Sequence, residues 1–407
     1  MMKKILFLGA SQSQLPPIHY AQQQGYYVIT VDYLPDNPGH VLADESHIVS
    51  TTDKEAVLEL ARRLSIDAIV AYASDPSAPT AAYVAEALGL PGNPYQSVEL
   101  LARKDKFRTF LADNGFNVPR SRSFYSMEEA RNWLSMLTLP VFVKPVDSSG
   151  NKGITCLEDP TEFETAFRYA LKYSREKKVV LEERIDQVGF QIDSDVFLVD
   201  GKLRFWLWAD AHFDPLCSPP FPIANSFPTT LDPRIGEKAA AELERLLTIL
   251  QFRSGAFNVE FLVDAQGEIW FLEVGPRNGG DFIPDTILQA TGIDLIKATV
   301  DSALGLDCSW LERVEPKGFW SNYVVHSLES GKLESIWFSD ALRERVVRKA
   351  ITAQEGDQVQ CAKGSDNTLG VLVIRFKSQQ EMLTMLANMH DHIKIQVTRA
   401  HKVVVSE

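Results

Sequence analysis

Gly255-Ala-Phe-Asn-Val-Glu-Phe-Leu-Val263, then Asp264-Ala-Gln-Gly267, then Glu268-Ile-Trp-Phe-Leu-Glu-Val274 is the stretch on which the fold turns. Two apolar runs flank a short turn with a well-placed glycine, which predicts a β-hairpin. With Val263 facing Glu268, Glu260 lies opposite Phe271 and Asn258 opposite Glu273. Side chains alternate along a strand, so Glu260 and Glu273 share a face as diagonal neighbours, ~7–8 Å apart at the backbone. Two carboxylates that close repel each other unless something cationic sits between them. A magnesium ion, which takes one or two carboxylates plus phosphate oxygens, resolves the conflict. The bland alternative is a solvent-facing pair of strand glutamates. The next loop, Gly275-Pro-Arg-Asn-Gly-Gly280, favours the metal, because it sets an arginine and bare backbone beside the acids.

Upstream of the hairpin, the first hundred residues alternate short apolar runs (Ile5–Leu8, Tyr27–Val31, Ala68–Ala71) with helical patterns. That alternation predicts a parallel sheet with helices on both faces. Gly9-Ala-Ser-Gln-Ser-Gln14 follows the first strand but lacks the three-glycine spacing of a dinucleotide loop. Ser74-Asp75 ends the third strand, where open α/β sheets place ligands, so Asp75 is a candidate substrate contact. A helix over Ser97–Asn114 carries Lys104-Asp-Lys106. Val141-Phe-Val-Lys-Pro145 predicts a strand ending in Lys144, followed by Asp147-Ser-Ser-Gly-Asn-Lys-Gly153. Alone that loop is an ordinary turn. Beside metal-type glutamates its hydroxyls, glycines and lysines form a triphosphate cradle, with Ser148, Ser149, Gly150 and Gly153 close to the oxygens. Val179-Val-Leu-Glu-Glu-Arg-Ile185 predicts a buried strand that ends in carboxylates and offers backbone groups to a purine edge. Downstream, Gly279-Gly280 and a helix beginning near Asp281 suggest an anion site for a substrate carboxylate. His212 is read as a loop histidine after the strand Trp206–Ala209, with acid–base or substrate contact as its functional alternative. His326, within a strand of the last hundred residues, is read as structural.

The chain has 407 residues, 45% hydrophobic and 23% charged, which suits an ordinary soluble protein of two to four domains. A net charge of −13 excludes a global nucleic-acid role, because phosphate backbones demand a positive footprint. The four cysteines lack metal-type spacing and are expected as free thiols in a reducing compartment. Ile5-Leu-Phe-Leu8 is too short for a leader or membrane span, so a cytoplasmic protein with no membrane partner is expected.

Seven pieces in order resemble the ATP-grasp superfamily, specifically its carboxylate–amine ligases: the helix with Lys-Asp-Lys106, Gly115–Pro119, Pro140–Pro145 with its loop, Val180–Ile185, Gly189–Asp195, Phe257–Phe261 and Phe271–Arg277. The resemblance implies an α/β and α+β fold: a Rossmann-like segment over 1–96, an ATP-grasp domain over 97–306 with a lid near 118–187, and a C-terminal α+β domain over 307–407. It implies that Lys106 and Lys144 contact ATP phosphates from opposite sides, that Glu182, Glu183 and Ile185 line the adenine, and that Gln191 meets the ribose. Glu260 and Glu273 would hold Mg2+ (or Mn2+), with Asn258 as substitute ligand where Gly275 replaces the family's usual asparagine. Arg277 and Lys144 would be catalytic, and Gly279, Gly280, Arg277, His212 and Asp75 would border the substrate. The implied activity is ATP-dependent joining of a small carboxylate to an amine through an acyl phosphate, in a chain able to form a homodimer. The Glu-x-Gly-x-Arg-x-Gly-Gly pattern resembles bacterial amino-acid ligases. The alternatives are a carbamoyl-phosphate or carboxylase-type enzyme and a non-catalytic ATP-binding regulator.

Overall fold

The computed structural model describes residues 2–148, 152–217, 220–363 and 367–398. At the N-terminus four parallel strands stand in the order Glu45–Ile48, Tyr27–Asp32, Lys4–Leu8, Ala68–Ala71. The strand Lys4–Leu8 is buried on both faces, as parallel strands between helices are. One face packs Val57, Leu58 and Ala61 of the helix Lys54–Leu64, the other Ile18 and Ala21 of the helix Leu15–Gln23.

A second, antiparallel sheet orders Ser121–Phe124, Val179–Glu183, Val141–Pro145 and Thr155–Leu157. Helices Met127–Leu134 and Phe163–Tyr173 bury Trp133, Phe163 and Phe167 against one of its faces. This is the segment expected to act as a lid.

The largest sheet runs Ile269–Gly275, Gly255–Val263, Gln191–Val199, Asp210–Asp214, Phe221–Phe227, Phe319–His326, Thr368–Phe376, Val346–Ile351. It does not stop at residue 306. Phe319–His326 pairs directly with Phe221–Phe227, and one core joins Phe221 and Ile223 to Leu372, Met382 and Leu386. The expected separate C-terminal domain is therefore built onto the same sheet. A three-stranded sheet (Gln358–Val359, Gly331–Phe338, Ile393–Thr398) completes this end.

The two faces of the large sheet differ. Val196, Phe257, Val259 and Phe261 pack against helix Pro233–Ile249 and the helices near Phe107. The opposite face is polar at its centre, where cross-strand pairing aligns Glu273 with Glu260 and Asp193, then Asn258 with Asp195. The helix expected over Ser97–Asn114 is two helices, Tyr95–Leu101 and Lys104–Asp113, broken at Ala102-Arg103.

Candidate active site

The hairpin closes one residue differently from the expected register. Val263 pairs with Ile269, not Glu268, and Phe261 with Phe271. Continued without interruption, that register would pair Glu273 with Val259 and turn it into the apolar core. Between Phe271 and Glu273 the ladder carries one extra residue, Leu272, so Glu260 faces Glu273 directly. A one-residue shift flips side chains to the other face, and bulges are placed beside sites for this purpose. The two glutamates are thus direct cross-strand partners, closer than the diagonal expected from sequence. Asn258 correspondingly faces Gly275 rather than Glu273.

More acid gathers here than sequence reading assigned. Asp193 and Asp195 extend from the neighbouring strand on the same face. Asn258 Nδ2 donates to Asp193 at 2.8 Å and to Asp195 at 3.2 Å. Gln191 Nε2 donates to Glu260 at 3.0 Å. Burial, then Asp193 and Glu273, push Glu260 up to about 8, well above an ordinary carboxyl. Burial likewise pushes Asp195 up to about 7. An all-oxygen donor set with unbalanced negative charge suits a hard divalent cation such as Mg2+.

The cation facing Glu273 is Lys104, not Lys106. Lys104 Nζ lies 3.3 Å from Glu273 Oε2 and donates to the Ser148 carbonyl at 2.9 Å. Lys106 instead pairs with Glu99 at 2.9 Å on the exposed side of its helix. Phe107, Arg108 and Leu111 form that helix's buried stripe, and Lys104 lies one turn before it. Lys104, Ser148, Glu273, Gly275, Asp75 and Arg175 line one cavity of about 330 Å³. Ser149 and Gly150 lie outside the described residues. Gly153 is a left-handed turn residue packed on Tyr173 and Pro145, which leaves no room for a Cβ.

Glu182 is not a free ligand. Its carboxylate, 3% exposed, accepts from Arg108 Nε at 2.6 Å and Lys144 Nζ at 2.7 Å. Burial raises its pKa, but the charges of Arg108 and Lys144 outweigh this and hold it far below the usual range. Arg108 also donates to the Leu272 carbonyl at 3.0 Å, tying the lid to the bulge. The Glu183 N–H is spent on the Arg120 carbonyl and is not open to a purine, while its carboxylate accepts from the Thr138 N–H. Ile185 lies half-buried just past that strand.

Arg277 and Asp75, both expected at the substrate, meet as a bidentate pair with two 2.6 Å bonds. This explains Gly275: a Cβ there would lie 2.7 Å from Asp75 Oδ1 and 3.3 Å from Arg277 Cζ. An asparagine at that position would push the pair apart. Gly279 is also required by packing, since a Cβ would lie 2.8 Å from Asp195 Oδ1. Its N–H is already donated to Asp195, so it does not present the expected free anion site. Gly280 faces open space. The helix starts at Ile283 rather than Asp281, and Asp281 and Phe282 hold positive φ of 50° and 60°. Two successive non-glycine residues in that region store strain of the kind found at ligand sites.

His212 is not on a loop. It sits in the strand Asp210–Asp214, 9% exposed, with Nε2 2.9 Å from Ser226 Oγ and its ring against Phe190. Burial pushes it down to about 4, so it is neutral at physiological pH and poorly suited to acid–base exchange. Residues that sequence reading missed are Lys104, Arg108, Asp193, Asp195 and Arg175. Two signals were present: acids at every second position of an apolar strand for Asp193 and Asp195, and a charge within a helix's apolar stripe for Arg108.

No protein-family model matches the chain. Its sequence is 27% identical over 289 residues to a formate-dependent phosphoribosylglycinamide formyltransferase of Paraburkholderia xenovorans (strain LB400), covering 67% of this chain and 69% of that one. Its fold is similar to the L-amino acid ligase of Bacillus licheniformis, with TM-score 0.83 and 21% identity over 98% of this chain and 99% of that one. It is also similar to the biotin carboxylase domain of Hydrogenobacter thermophilus 2-oxoglutarate carboxylase, solved with MgADP and bicarbonate. There the TM-score is 0.75 at 16% identity, over 97% of this chain and 91% of that one. Among the described residues no helix is long and apolar enough to cross a membrane.

Proposed function

We infer that this chain, an ATP-grasp protein of the carboxylate–amine ligase branch, joins a small carboxylate to an amine through an acyl phosphate, releasing ADP and phosphate. The reading is carried by the opposed pair Glu260 and Glu273, held on the polar face with Lys104 against Glu273. Glu260 and Glu273 would hold Mg2+, with Mn2+ as a second candidate; when bound, the ion neutralises phosphate oxygens. Phosphoryl transfer is mostly positioning and charge neutralisation, and the chain supplies Lys104, Lys144 and Arg277 for both. Glu182 and Arg108 fix Lys144 at the lid edge. Asp75 fixes Arg277, three of whose five N–H donors are engaged. The remaining donors suit the oxyanion formed when the amine attacks the acyl phosphate. Lid closure over the Ser148 end would exclude water, which otherwise hydrolyses that anhydride.

An amino acid or similar small acid is the proposed carboxylate, supported by the whole-length likeness to an L-amino acid ligase fold. The formate-dependent relative makes formate the second acid to test. Gln191, bonded to Glu260, would lie at the ribose edge, and Ile185 near the adenine. We take residues 1–96, 97–306 and 307–407 as the functional segments of a cytoplasmic protein acting on small molecules, with no nucleic-acid partner and with a homodimer as its working assembly.

Phosphate release with Mg-ATP, screened over amino acids and formate against amine acceptors, tests this directly. Glu273→Gln should lower the rate at least about 100-fold while leaving the circular-dichroism spectrum unchanged. Near-native turnover in that variant would overturn the metal assignment.

A further inference from the structure

On the far side of the large sheet's strand order from the paired glutamates, three residues distant in sequence converge. Asp214 ends the strand Asp210–Asp214, His326 ends Phe319–His326, and His390 lies on the short helix Met389–His392. Asp214 Oδ2 lies 2.7 Å from Nε2 of His326 and 2.7 Å from Nε2 of His390. Asp214 Oδ1 is occupied by the Leu216 N–H. The Asp214 and His326 side chains are each 1% exposed, and His390 is 44% exposed.

The protons decide what this cluster is. His326 Nδ1 lies 3.0 Å from the Val324 carbonyl, which can only accept, so a ring hydrogen on Nδ1 satisfies that contact. Neutral His326 then turns the lone pair of Nε2 towards a carboxylate oxygen at 2.7 Å, two acceptors face to face. His390 can avoid this by carrying its hydrogen on Nε2. His326 with its hydrogen on Nε2 would instead turn the lone pair of Nδ1 towards the Val324 carbonyl, so either neutral tautomer leaves one pair of acceptors in contact. A cation between the three groups removes the clash. A metal-bound histidine usually donates its other ring N–H to a carbonyl or carboxylate, as His326 does here to Val324.

We propose that Asp214, His326 and His390 form a binding site for a first-row divalent ion of the Zn2+ type, separate from the nucleotide site. Imidazole nitrogens with one carboxylate favour Zn2+ and its neighbours over Mg2+. The three ligand atoms lie within 4.8 Å of one another, and tetrahedral ligation at Zn–N and Zn–O lengths needs separations of about 3.3 Å. The 2.7 Å contacts must therefore open slightly, at His390 by movement of a half-exposed side chain and at His326 by a small shift of the Asp214 carboxylate. The rings of Phe221 and Tyr323 stand 5.4 Å and 6.4 Å from His326 and wall off the inner side, while His390 provides the approach from solvent. Bound metal would fasten the helix Met389–His392 to two strands of the sheet.

Cobalt(II) titration of the full chain tests this, because cobalt in an N/O tetrahedral site absorbs in the visible. The wild type should develop a d–d band that saturates near one equivalent. His390→Ala, altering a partly exposed residue, should fold normally by circular dichroism and weaken cobalt binding at least about 10-fold. Glu273→Gln, at the nucleotide site, should keep the band. Absence of the band in the wild type, its persistence in His390→Ala at native strength, or its loss in Glu273→Gln would each overturn the site.

Discussion

Glu182, buried, and Glu260, half-buried, are both strand carboxylates set among charged neighbours, yet they end in opposite electrostatic states. Burial disfavours the charge on both. Glu182 has Arg108 and Lys144 in direct contact and stays ionised far below the usual range. Glu260 faces Asp193 and Glu273 and is pushed up to about 8. Neighbours, not depth, decide the sign. The balanced site ties the four-stranded sheet to the helix Lys104–Asp113, and the unbalanced one would be relieved by a cation.

Glu182→Gln should break the balance most severely. It leaves Arg108 and Lys144 buried without their counter-ion, a change worth about 3–5 kcal/mol in unfolding free energy. Glu260→Gln removes a repelled charge and should leave metal-free stability unchanged or raised, while abolishing phosphate release. Urea unfolding of both variants checks the contrast; equal destabilisation would end it.

Gly275→Asn restores the residue usual at this position in the resembled family. Because its Cβ would meet Asp75, it should lower turnover about tenfold rather than improve it, by displacing Arg277. If Gly275→Asn is faster than the wild type, the Asp75–Arg277 pair is incidental.

The pH dependence of stability sharpens the comparison further. Between an ordinary 4.5 and about 8, folded metal-free protein keeps on Glu260 a proton that the unfolded chain has released. This contribution is therefore full below about 4.5 and lost as pH rises through about 8. Melting temperatures across that range should decline in metal-free protein, and both Mg2+ and Glu260→Gln should flatten the decline.

The smallest effect is expected at Lys106. Lys106→Ala removes only an exposed pair with Glu99, worth at most about 1 kcal/mol, and should leave the KM for ATP within about twofold. Lys104→Ala should raise that KM clearly. The reverse order would return the phosphate role to Lys106.

That pair of lysines shows where sequence reading ran out. The motif Lys-Asp-Lys106 was legible, but facing is set by the helix's apolar stripe through Phe107 and Leu111, which selects Lys104. The hairpin teaches a subtler lesson. Alternation alone put Glu260 and Glu273 on one face, yet from a register that does not occur. The turn takes one more residue than expected and the Leu272 bulge adds another, so the two departures cancel at Glu273. Neither a bulge nor a turn length has a compositional signature here. Three of the four N-terminal strands were readable as apolar runs, because they are largely buried, whereas Glu45–Ile48 at the sheet edge alternates half-buried and exposed residues and was missed. Asp75 and Arg277 were each picked out singly, but 202 positions separate them and only the fold brings them together.

Arg108 grips the lid through Glu182 and the platform through the Leu272 carbonyl. A swing of the lid that keeps both contacts has to turn about this side chain. Lys144, beside the axis, would then travel least. One guanidinium would thus serve as a hinge pin, letting the cleft open for exchange while the ammonium group stays aimed at its target.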